Sequence, residues 1–222
     1  MIEFRETIVS LSKDGQRRLS AGFRLSKGDV AVLFGTNGSG KTTLLDLIAG
    51  VRKPDVGVVI VEPANLPVAY AVQDSSSGLL PWKTILSNIL LPALVANKSS
   101  ERTRNEALTL LQQFGLGDRQ LGFPYQLSEG EKQIVNLVRA ICTPSEILLL
   151  DEPFSSLNSK TRALAKEKLK QSTKQRTTVL VTHDAADLEG PFNRFFQLAN
   201  SRVEEVDLST AKSFLENAVS QA

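Results

Sequence analysis

The sequence predicts an α/β fold that carries an inserted helical lobe. An apolar, β-rich run at 29–34 passes through a glycine-rich turn into a helical pattern at 41–49, so that a strand, a loop and a helix follow one another. A second apolar run, at 147–150, ends in two carboxylates. Between these segments, a helical pattern from about 84 to 141 interrupts the alternation of strands and helices. The chain of 222 residues is long enough for one domain with such a lobe.

The other elements follow from periodicity and from turn-forming residues. Residues 2–34 alternate in character and are predicted as strands. The helix that begins at Lys41 is expected to end at Gly50, because glycine adopts the conformation of a helix C-terminus without strain. The remaining predicted elements are short strands within 56–73, helices at 84–113 with a polar interruption at 97–100, helices at 128–141 and 161–174, a strand at 178–182, and one or two short helices in the tail at 203–222.

Composition excludes several classes of protein. Lys and Arg number 26 against 24 Asp and Glu, so the chain lacks the basic excess of a nucleic-acid binder. Its one cysteine, Cys142, rules out an internal disulfide. The start at 1–6 has no apolar core of a signal peptide, and the longest apolar runs are too short to cross a bilayer. We therefore expect no nucleic-acid partner and no direct membrane insertion, and any role at a membrane would require docking on another protein.

Residues 35–42 form the pattern Gly-x-x-x-x-Gly-Lys-Thr after a predicted strand and at the start of a predicted helix. Glycines let successive N–H groups turn onto phosphate oxygens, and the helix N-terminus adds its positive dipole end. Lys41 would contact the β- and γ-phosphates, and the Thr42 hydroxyl would reach Mg²⁺. The predicted nucleotide-binding residues of this loop are Gly35, Thr36, Asn37, Gly38, Ser39, Gly40, Lys41, Thr42 and Thr43. Alone, the loop indicates a nucleoside triphosphate and leaves kinases, GTPases and ATPases open. A glycine-rich turn that binds nothing is the alternative.

Two carboxylates follow the apolar run at 147–150. Neighbouring side chains of a strand point to opposite faces, so Asp151 and Glu152 can serve separate roles. We expect Asp151 to hold Mg²⁺ through water, and Glu152 to orient and polarise the attacking water as a general base. The alternative is an ordinary strand that ends in polar residues at a turn.

The segment Leu127-Ser128-Glu129-Gly130-Glu131 precedes this strand, and here the sequence resembles the ABC (ATP-binding cassette) ATPase superfamily. The family's motifs occur in order along the chain: the phosphate loop at 35–42, Gln73, the signature at 127–131, the acidic strand at 147–152, the D-loop at 155–158, and His183. The resemblance implies a P-loop NTPase fold with a RecA-like core, an antiparallel β subdomain and a helical subdomain. The core and β subdomain would comprise 1–83 and 142–222, and the helical subdomain 84–141.

The resemblance also implies roles for individual residues. Such cassettes form head-to-tail dimers that hold two ATP molecules, and a homodimer is expected here. Ser128 and the Gly130 N–H group would contact the γ-phosphate held by the other cassette. Gln73 would contact Mg²⁺ or the attacking water, and His183 would contact the γ-phosphate. The implied activity is ATP hydrolysis coupled to transport, with ATP and Mg²⁺ as ligands.

The sequence departs from the family pattern at several positions. Glu129 replaces a glycine of the signature, Glu131 replaces its glutamine, and Asn158 replaces the D-loop aspartate. A carboxylate near a triphosphate costs Coulomb energy unless a cation neutralises it, and Lys132 and Arg139 are candidates for that role. No aromatic residue lies between Leu11 and Leu19, where one that stacks on adenine is expected, and only Phe4 and Phe23 are near.

The segment after Gln73 contains Leu79-Leu80-Pro81-Trp82, followed by Lys83-Thr84-Ile85. It resembles importer ATPases of the nitrate, sulfonate and taurine type, and this implies a transmembrane permease that docks near Gln73–Trp82. Leu79, Leu80 and Trp82 would then be exposed apolar anchors, unless they belong to the core of the helical lobe. The expected location is cytoplasmic, peripheral on the inner face of the cell membrane.

Three other functions are compatible with parts of the sequence. An ABC-type ATPase of DNA repair would carry long coiled coils between Lys41 and Ser128, and no sustained heptads occur there. A small-molecule kinase would leave the signature unexplained. A regulatory, weakly hydrolysing cassette that acts with a different active partner is favoured by Glu129, by Asn158 and by the lack of an aromatic residue between Leu11 and Leu19. Glu152 and His183 argue against it.

Overall fold

The computed structural model describes residues 1–12, 14–63 and 67–219. The elements in chain order are β1 (Ile2–Ser10), β2 (Arg18–Ala21), β3 (Arg24–Leu25), β4 (Val30–Gly35), α1 (Lys41–Ile48), β5 (Val56–Val61), β6 (Ala69–Ala71), α2 (Ser75–Gly78), α3 (Ile85–Val95), α4 (Glu101–Gln113), α5 (Glu129–Cys142), β7 (Ile147–Asp151), α6 (Ser159–Ser172), β8 (Thr177–Val181), β9 (Arg194–Ala199), β10 (Arg202–Val206) and α7 (Leu208–Val219). The chain divides into two compact units, of which the first comprises Met1–Asn65 with Gln175–Ala222 and the second comprises Leu66–Lys174.

The first unit is built on a mixed sheet in the order β3-β1-β2-β10-β9-β4-β8, with β5 paired to β1. The pairs that β1 forms with β2, β3 and β5 are antiparallel. β4 instead runs parallel to both β8 and β9. An antiparallel part and a parallel part therefore share one sheet, and every residue of β4 is buried.

Parallel pairing brings the ends of β4 and its neighbours to one edge of the sheet. Leu33 pairs with Val181 of β8, and Gly35 pairs with Leu198 of β9. Ligands of open α/β sheets bind beyond the carboxyl ends of the strands. Both the glycine-rich loop after β4 and His183 after β8 follow this edge.

The tail differs from the sequence prediction. Residues 203–206 were expected to be helical, but they belong to β10, which pairs antiparallel with β9. Asn200 and Ser201 connect the two strands with positive φ angles of 48° and 62°, as a tight hairpin turn requires. The helical prediction is confirmed from Leu208 to Val219, and the last three residues lie outside the described part of the chain.

An apolar cluster joins the tail to the parallel strands. Its buried members come from β4, β9, α7 and the turn after β8, and they are Val32, Phe34, Leu188, Phe195, Ala211 and Leu215. The tail is therefore part of the first unit's core.

The second unit has α5 at its centre. This helix contacts α2, α3, α4, α6 and the two parallel strands β6 and β7. The predicted helical lobe at 84–141 lies within this unit, which also contains β6, β7 and α6. The boundaries of the subdomains implied by the family resemblance stay a prediction. In the part of the chain that the structure describes, no helix is long and apolar enough to cross a membrane.

Candidate active site

The glycine-rich loop connects β4 to α1 and has no room for side chains at two glycines. A Cβ atom added to Gly35 would lie 2.7 Å from the carbonyl oxygen of Leu198. One added to Gly40, where φ is 108°, would lie 2.9 Å from methyl carbons of Leu11 and Leu19. Gly40 is the N-cap residue of α1 and has no side chain of its own to cap the amide groups of the first turn. The loop thus presents backbone N–H groups, as an anion site requires.

Two side chains of the loop add a positive charge and a hydroxyl group to these N–H groups. Lys41 is only 7% exposed, and its Nζ donates hydrogen bonds to the carbonyl oxygens of Gly35 at 2.9 Å and Thr36 at 3.1 Å. The Oγ atom of Ser39 is buried and has no hydrogen-bond partner within the described residues. A buried hydroxyl without a partner is costly, and a phosphate oxygen would satisfy it. The donors and the positive charge in this loop therefore fit a polyphosphate.

Most of the other loop residues are exposed. Thr36, Asn37, Gly38 and Thr42 are exposed, and Thr43 is half-buried. The guanidinium of Arg17 donates a hydrogen bond of 2.8 Å to the Gly38 carbonyl. Arg17 therefore brings a second positive charge to the loop, and the sequence motif does not predict this contact.

His183 lies two residues beyond β8 and is exposed. The turn that carries it is braced by a buried pair, in which the Thr182 hydroxyl donates to the Asp187 carboxylate at 2.6 Å. The same hydroxyl accepts from the N–H group of Asp184 at 3.1 Å. The backbone on both sides of His183 is thus held in place.

In the second unit, Asp151 is the last residue of β7 and is 1% exposed. Glu152 follows it, is half-buried, and has a φ of 49°. A residue with a Cβ is uncommon in this left-handed region, and such residues cluster at functional sites. The bend after β7 gives the two carboxylates different surroundings, as the proposed separation of their roles requires.

Gln73 is exposed, and the segment around it is held by α5. The side-chain amide of Asn136 donates a hydrogen bond of 3.0 Å to the Val72 carbonyl oxygen, and the guanidinium of Arg139 donates one to the Gly78 carbonyl oxygen. Burial lowers the pKa of Arg139 from its usual value. A buried asparagine and a half-buried arginine of one helix thereby secure the chain before and after Gln73.

Ser128 is the N-cap of α5 and forms a reciprocal capping box with Glu131. The Ser128 N–H and hydroxyl groups both donate to the Glu131 carboxylate, at 2.8 and 2.9 Å. The N–H bond is the larger cause that lowers the pKa of Glu131, and the hydroxyl bond adds to it. Glu131 therefore keeps the capping function when it replaces the glutamine of the signature.

The other departures also have local partners. Glu129 forms an ion pair of 3.4 Å with Lys132, whose Nζ donates to the Ser76 hydroxyl at 2.9 Å. Of the two cations considered for this carboxylate, Lys132 is the partner, whereas Arg139 is bound at Gly78. Asn158 caps α6 and accepts a 3.0 Å hydrogen bond from the Thr161 N–H group.

The two aromatic residues nearest the segment from Leu11 to Leu19 in sequence pack on other aromatic side chains. Phe4 stacks on Phe23 with ring centroids 4.6 Å apart, and Phe23 contacts Phe196 at 4.7 Å. Both rings thus have aromatic protein neighbours, and neither is assigned to adenine stacking.

One expectation about the segment after Gln73 is wrong. Leu79 was expected to be an exposed anchor, but it is 3% exposed and belongs to the core. Leu80 is half-buried. Trp82 is 71% exposed, in agreement with the expectation. The apolar run thus continues from the interior to the surface, and Trp82 is its most exposed apolar anchor.

Sequence reasoning missed three residues that hold predicted site segments in place: Arg17 and Asp187 in the first unit, and Gln133 in the second. Gln133 is buried and bonds to the backbone of the turn after β7. In the sequence, its position two residues after the signature was the only feature that could have indicated a role near the site. Asp187 could have been suspected as an acidic residue shortly after the histidine, while nothing in the sequence points to Arg17.

Comparison with known proteins bears on this geometry. A protein family described as ABC transporter matches residues 20–155. The chain belongs to the ABC transporter family. This cassette is 36% identical over 185 residues to an ABC transporter ATP-binding protein of Bacillus subtilis, YtlC, with 80% of the chain and 70% of the relative covered. It is 38% identical over 170 residues to the taurine import ATP-binding protein TauB of Yersinia pestis, with 72% of the chain and 65% of the relative covered. The chain thus spans about two thirds of these relatives' length.

The fold of the cassette is shared with solved structures. A dimeric, post-hydrolysis ATP-binding cassette bound to ADP and phosphate superposes with a TM-score of 0.82, at 26% identity, over 94% of this chain and 99% of that one. The predicted fold class, a P-loop NTPase of the ABC type, is therefore confirmed.

Proposed function

We propose that this cassette binds ATP with Mg²⁺ and hydrolyses it to drive the import of a small solute. The observation that carries the proposal is the loop after β4, where Lys41 and the unpartnered Ser39 hydroxyl accompany glycines that leave no room for side chains. Because the chain belongs to the ABC transporter family, we propose that the nucleoside triphosphate is ATP.

Mg²⁺ suits the oxygen donors of the cassette. We assign it to the Thr42 hydroxyl, the Gln73 amide oxygen and the Asp151 carboxylate. Mg²⁺ is commonly bound by one or two carboxylates together with substrate phosphates and water. In the described ranges there is no group of three or more acidic, histidine or cysteine side chains that could hold a metal, so a cage made of protein alone is not part of the proposal. When bound, the ion would neutralise charge on the phosphates.

We assign the chemical roles to Glu152, His183 and Gln73. Glu152 accepts a proton from the attacking water and orients it as a general base. His183 donates a hydrogen bond to the γ-phosphate, and Gln73 contacts the water. Lys41 stabilises the charge that develops on the phosphate oxygens.

A second cassette would complete each site, and we propose a homodimer. Ser128 and Gly130 lie at the N-terminus of α5, a 14-residue helix whose dipole favours an anion there. Their hydroxyl and N–H groups would bind the γ-phosphate held by the partner. The proposal is supported by the dimeric state of the structurally similar cassette.

The importer assignment rests on the printed name of the taurine import relative and on the exposure of Trp82. A large aromatic side chain at the surface is a typical anchor of a protein interface. We propose that a transmembrane permease docks on the Gln73–Trp82 segment. The cassette would then lie on the inner face of the cell membrane.

Replacing Trp82 with alanine is expected to weaken permease docking while basal hydrolysis is unchanged. The loss of an aromatic anchor at an interface costs about 2 kcal/mol, which is roughly a 30-fold weaker association. The measurement is stimulation of ATP hydrolysis by permease-containing liposomes as a function of cassette concentration. Val95→Ala, at an exposed apolar residue that ends α3, is the matched control. Equal stimulation of both variants would contradict the docking site.

The purified cassette is expected to release phosphate from ATP in Mg²⁺ and to lose this activity in excess EDTA. No soluble phosphoryl acceptor should be needed. Phosphate release is measured with and without Mg²⁺, and small-molecule acceptors are then added. Stimulation by an acceptor with phosphorylation of that acceptor would favour the kinase alternative. ATP binding without measurable hydrolysis would favour the regulatory cassette.

A further inference from the structure

The side chain of Gln133 connects the helix of the signature to the turn that carries Glu152. Gln133 is 4% exposed and lies in α5. Its Nε2 atom donates to the Glu152 carbonyl at 2.9 Å and to the Ser155 hydroxyl oxygen at 3.0 Å. Its Oε1 atom accepts from the Ser156 N–H group at 2.8 Å. The nitrogen and the oxygen of this buried amide therefore both form hydrogen bonds to the same turn.

The contact acts on a backbone conformation that needs support. The φ of 49° at Glu152 lies in the left-handed region, which is unfavourable for a residue with a side chain. The carbonyl of Glu152 accepts from Gln133 and also from the Ser155 hydroxyl at 3.1 Å. Fixing this carbonyl fixes the peptide plane after Glu152, and with it the direction in which the carboxylate leaves the backbone.

The same turn packs closely on the first turn of α5. A Cβ atom added to Gly130 would lie 2.8 Å from the carbonyl oxygen of Ser156. Backbone therefore meets backbone at the signature, three residues before Gln133. A shift of α5 would move the turn as well, because the helix is in close contact with it at Gly130 and is hydrogen-bonded to it through Gln133.

We propose that Gln133 is a positioning residue that aligns the Glu152 carboxylate for water activation and couples this alignment to the signature helix. The inference rests on the proposed role of Glu152 as general base. Gln133 itself touches neither nucleotide nor water. Its amide donor holds Glu152, and its amide acceptor holds the D-loop segment that begins at Ser155.

Replacing Gln133 with alanine is expected to lower kcat for ATP hydrolysis by roughly 10- to 100-fold, because small misplacements of a catalytic group have effects of that size. The KM for ATP should change by less than about twofold, since the phosphate loop is untouched. Gln113→Ala, at an exposed glutamine of α4, is the matched control and should resemble the wild type. A Gln133→Ala protein with normal kcat, or with only a raised KM, would overturn the proposal.

Gln133→Glu provides a test that does not depend on the alanine variant folding. The substituted carboxylate can still accept from Ser156, but its second oxygen faces the Glu152 carbonyl and needs a proton to bond to it. The deficit in kcat relative to the wild type should therefore shrink as the pH falls through the pKa of the substituted carboxyl. A purely structural role predicts a deficit that is independent of pH, and that result would overturn the proposal.

Parallel measurement of Glu152→Gln separates the two ideas. If Glu152→Gln keeps normal hydrolysis, the role proposed for Glu152 is overturned, and the inference about Gln133 is overturned with it. If Glu152→Gln is inactive while the Gln133 variants match the wild type at every pH, only the positioning role is overturned. Loss in Glu152→Gln together with the pH-dependent loss in Gln133→Glu supports both.

Discussion

Glu152→Gln protein is expected to hydrolyse ATP at least ~10²-fold more slowly than the wild type while it still binds ATP. The amide keeps the size of the carboxyl group but cannot accept the proton of the attacking water. Phosphate release at saturating ATP and Mg²⁺ measures the first effect, and titration with a fluorescent ATP analogue measures binding. Glu106→Gln, at an exposed residue of α4, is the control for the change of charge. Hydrolysis at the wild-type rate would exclude Glu152 as the base.

The same variant also tests the composite site. With hydrolysis blocked, ATP and Mg²⁺ should trap two cassettes together, and size-exclusion chromatography should show a dimer only in their presence. Such a shift would show that the signature with Glu129 and Glu131 works in a homodimer. A monomer that binds ATP would instead indicate a different cassette partner or a required membrane subunit.

Lys41→Ala protein is expected to bind ATP roughly 10- to 150-fold more weakly than the wild type, which corresponds to the ~1.5–3 kcal/mol of charge-assisted hydrogen bonds. Lys41 is buried against the loop carbonyls, so its ammonium group is held close to where the phosphates would bind. Calorimetric titration with ATP in Mg²⁺ measures the change. Lys53→Ala removes the same charge from an exposed site outside the loop and should bind normally.

Thermal unfolding of the Lys41→Ala protein without nucleotide provides a further control. A folded variant with unchanged affinity would contradict the assignment of the phosphate cradle. A folded variant with reduced affinity and an unchanged sensitivity to EDTA would place the effect on the phosphates, and not on the metal.

Local sequence patterns were sufficient to predict much of the secondary structure of this cassette. The strand, glycine loop and helix at 29–49 were predictable because backbone conformation at glycines and the periodicity of apolar residues are short-range properties. The pair Asp151 and Glu152 was predictable because apolar residues before two carboxylates indicate the end of a buried strand. The hairpin of β9 and β10 was missed because its second strand is mostly exposed and rich in charge, so it has little apolar alternation.

The sequence by itself determined the fold class and the candidate chemical groups, since the motif residues and their spacing are properties of the chain. Tertiary structure alone decided which groups support them. Leu79 is buried although it adjoins an exposed tryptophan, Arg17 bonds to the phosphate loop across 21 positions of sequence, and Gln133 bonds to the carbonyl of Glu152 across 19. Such contacts depend on how separate segments pack, and no local pattern encodes the partner of a side chain that lies on another element.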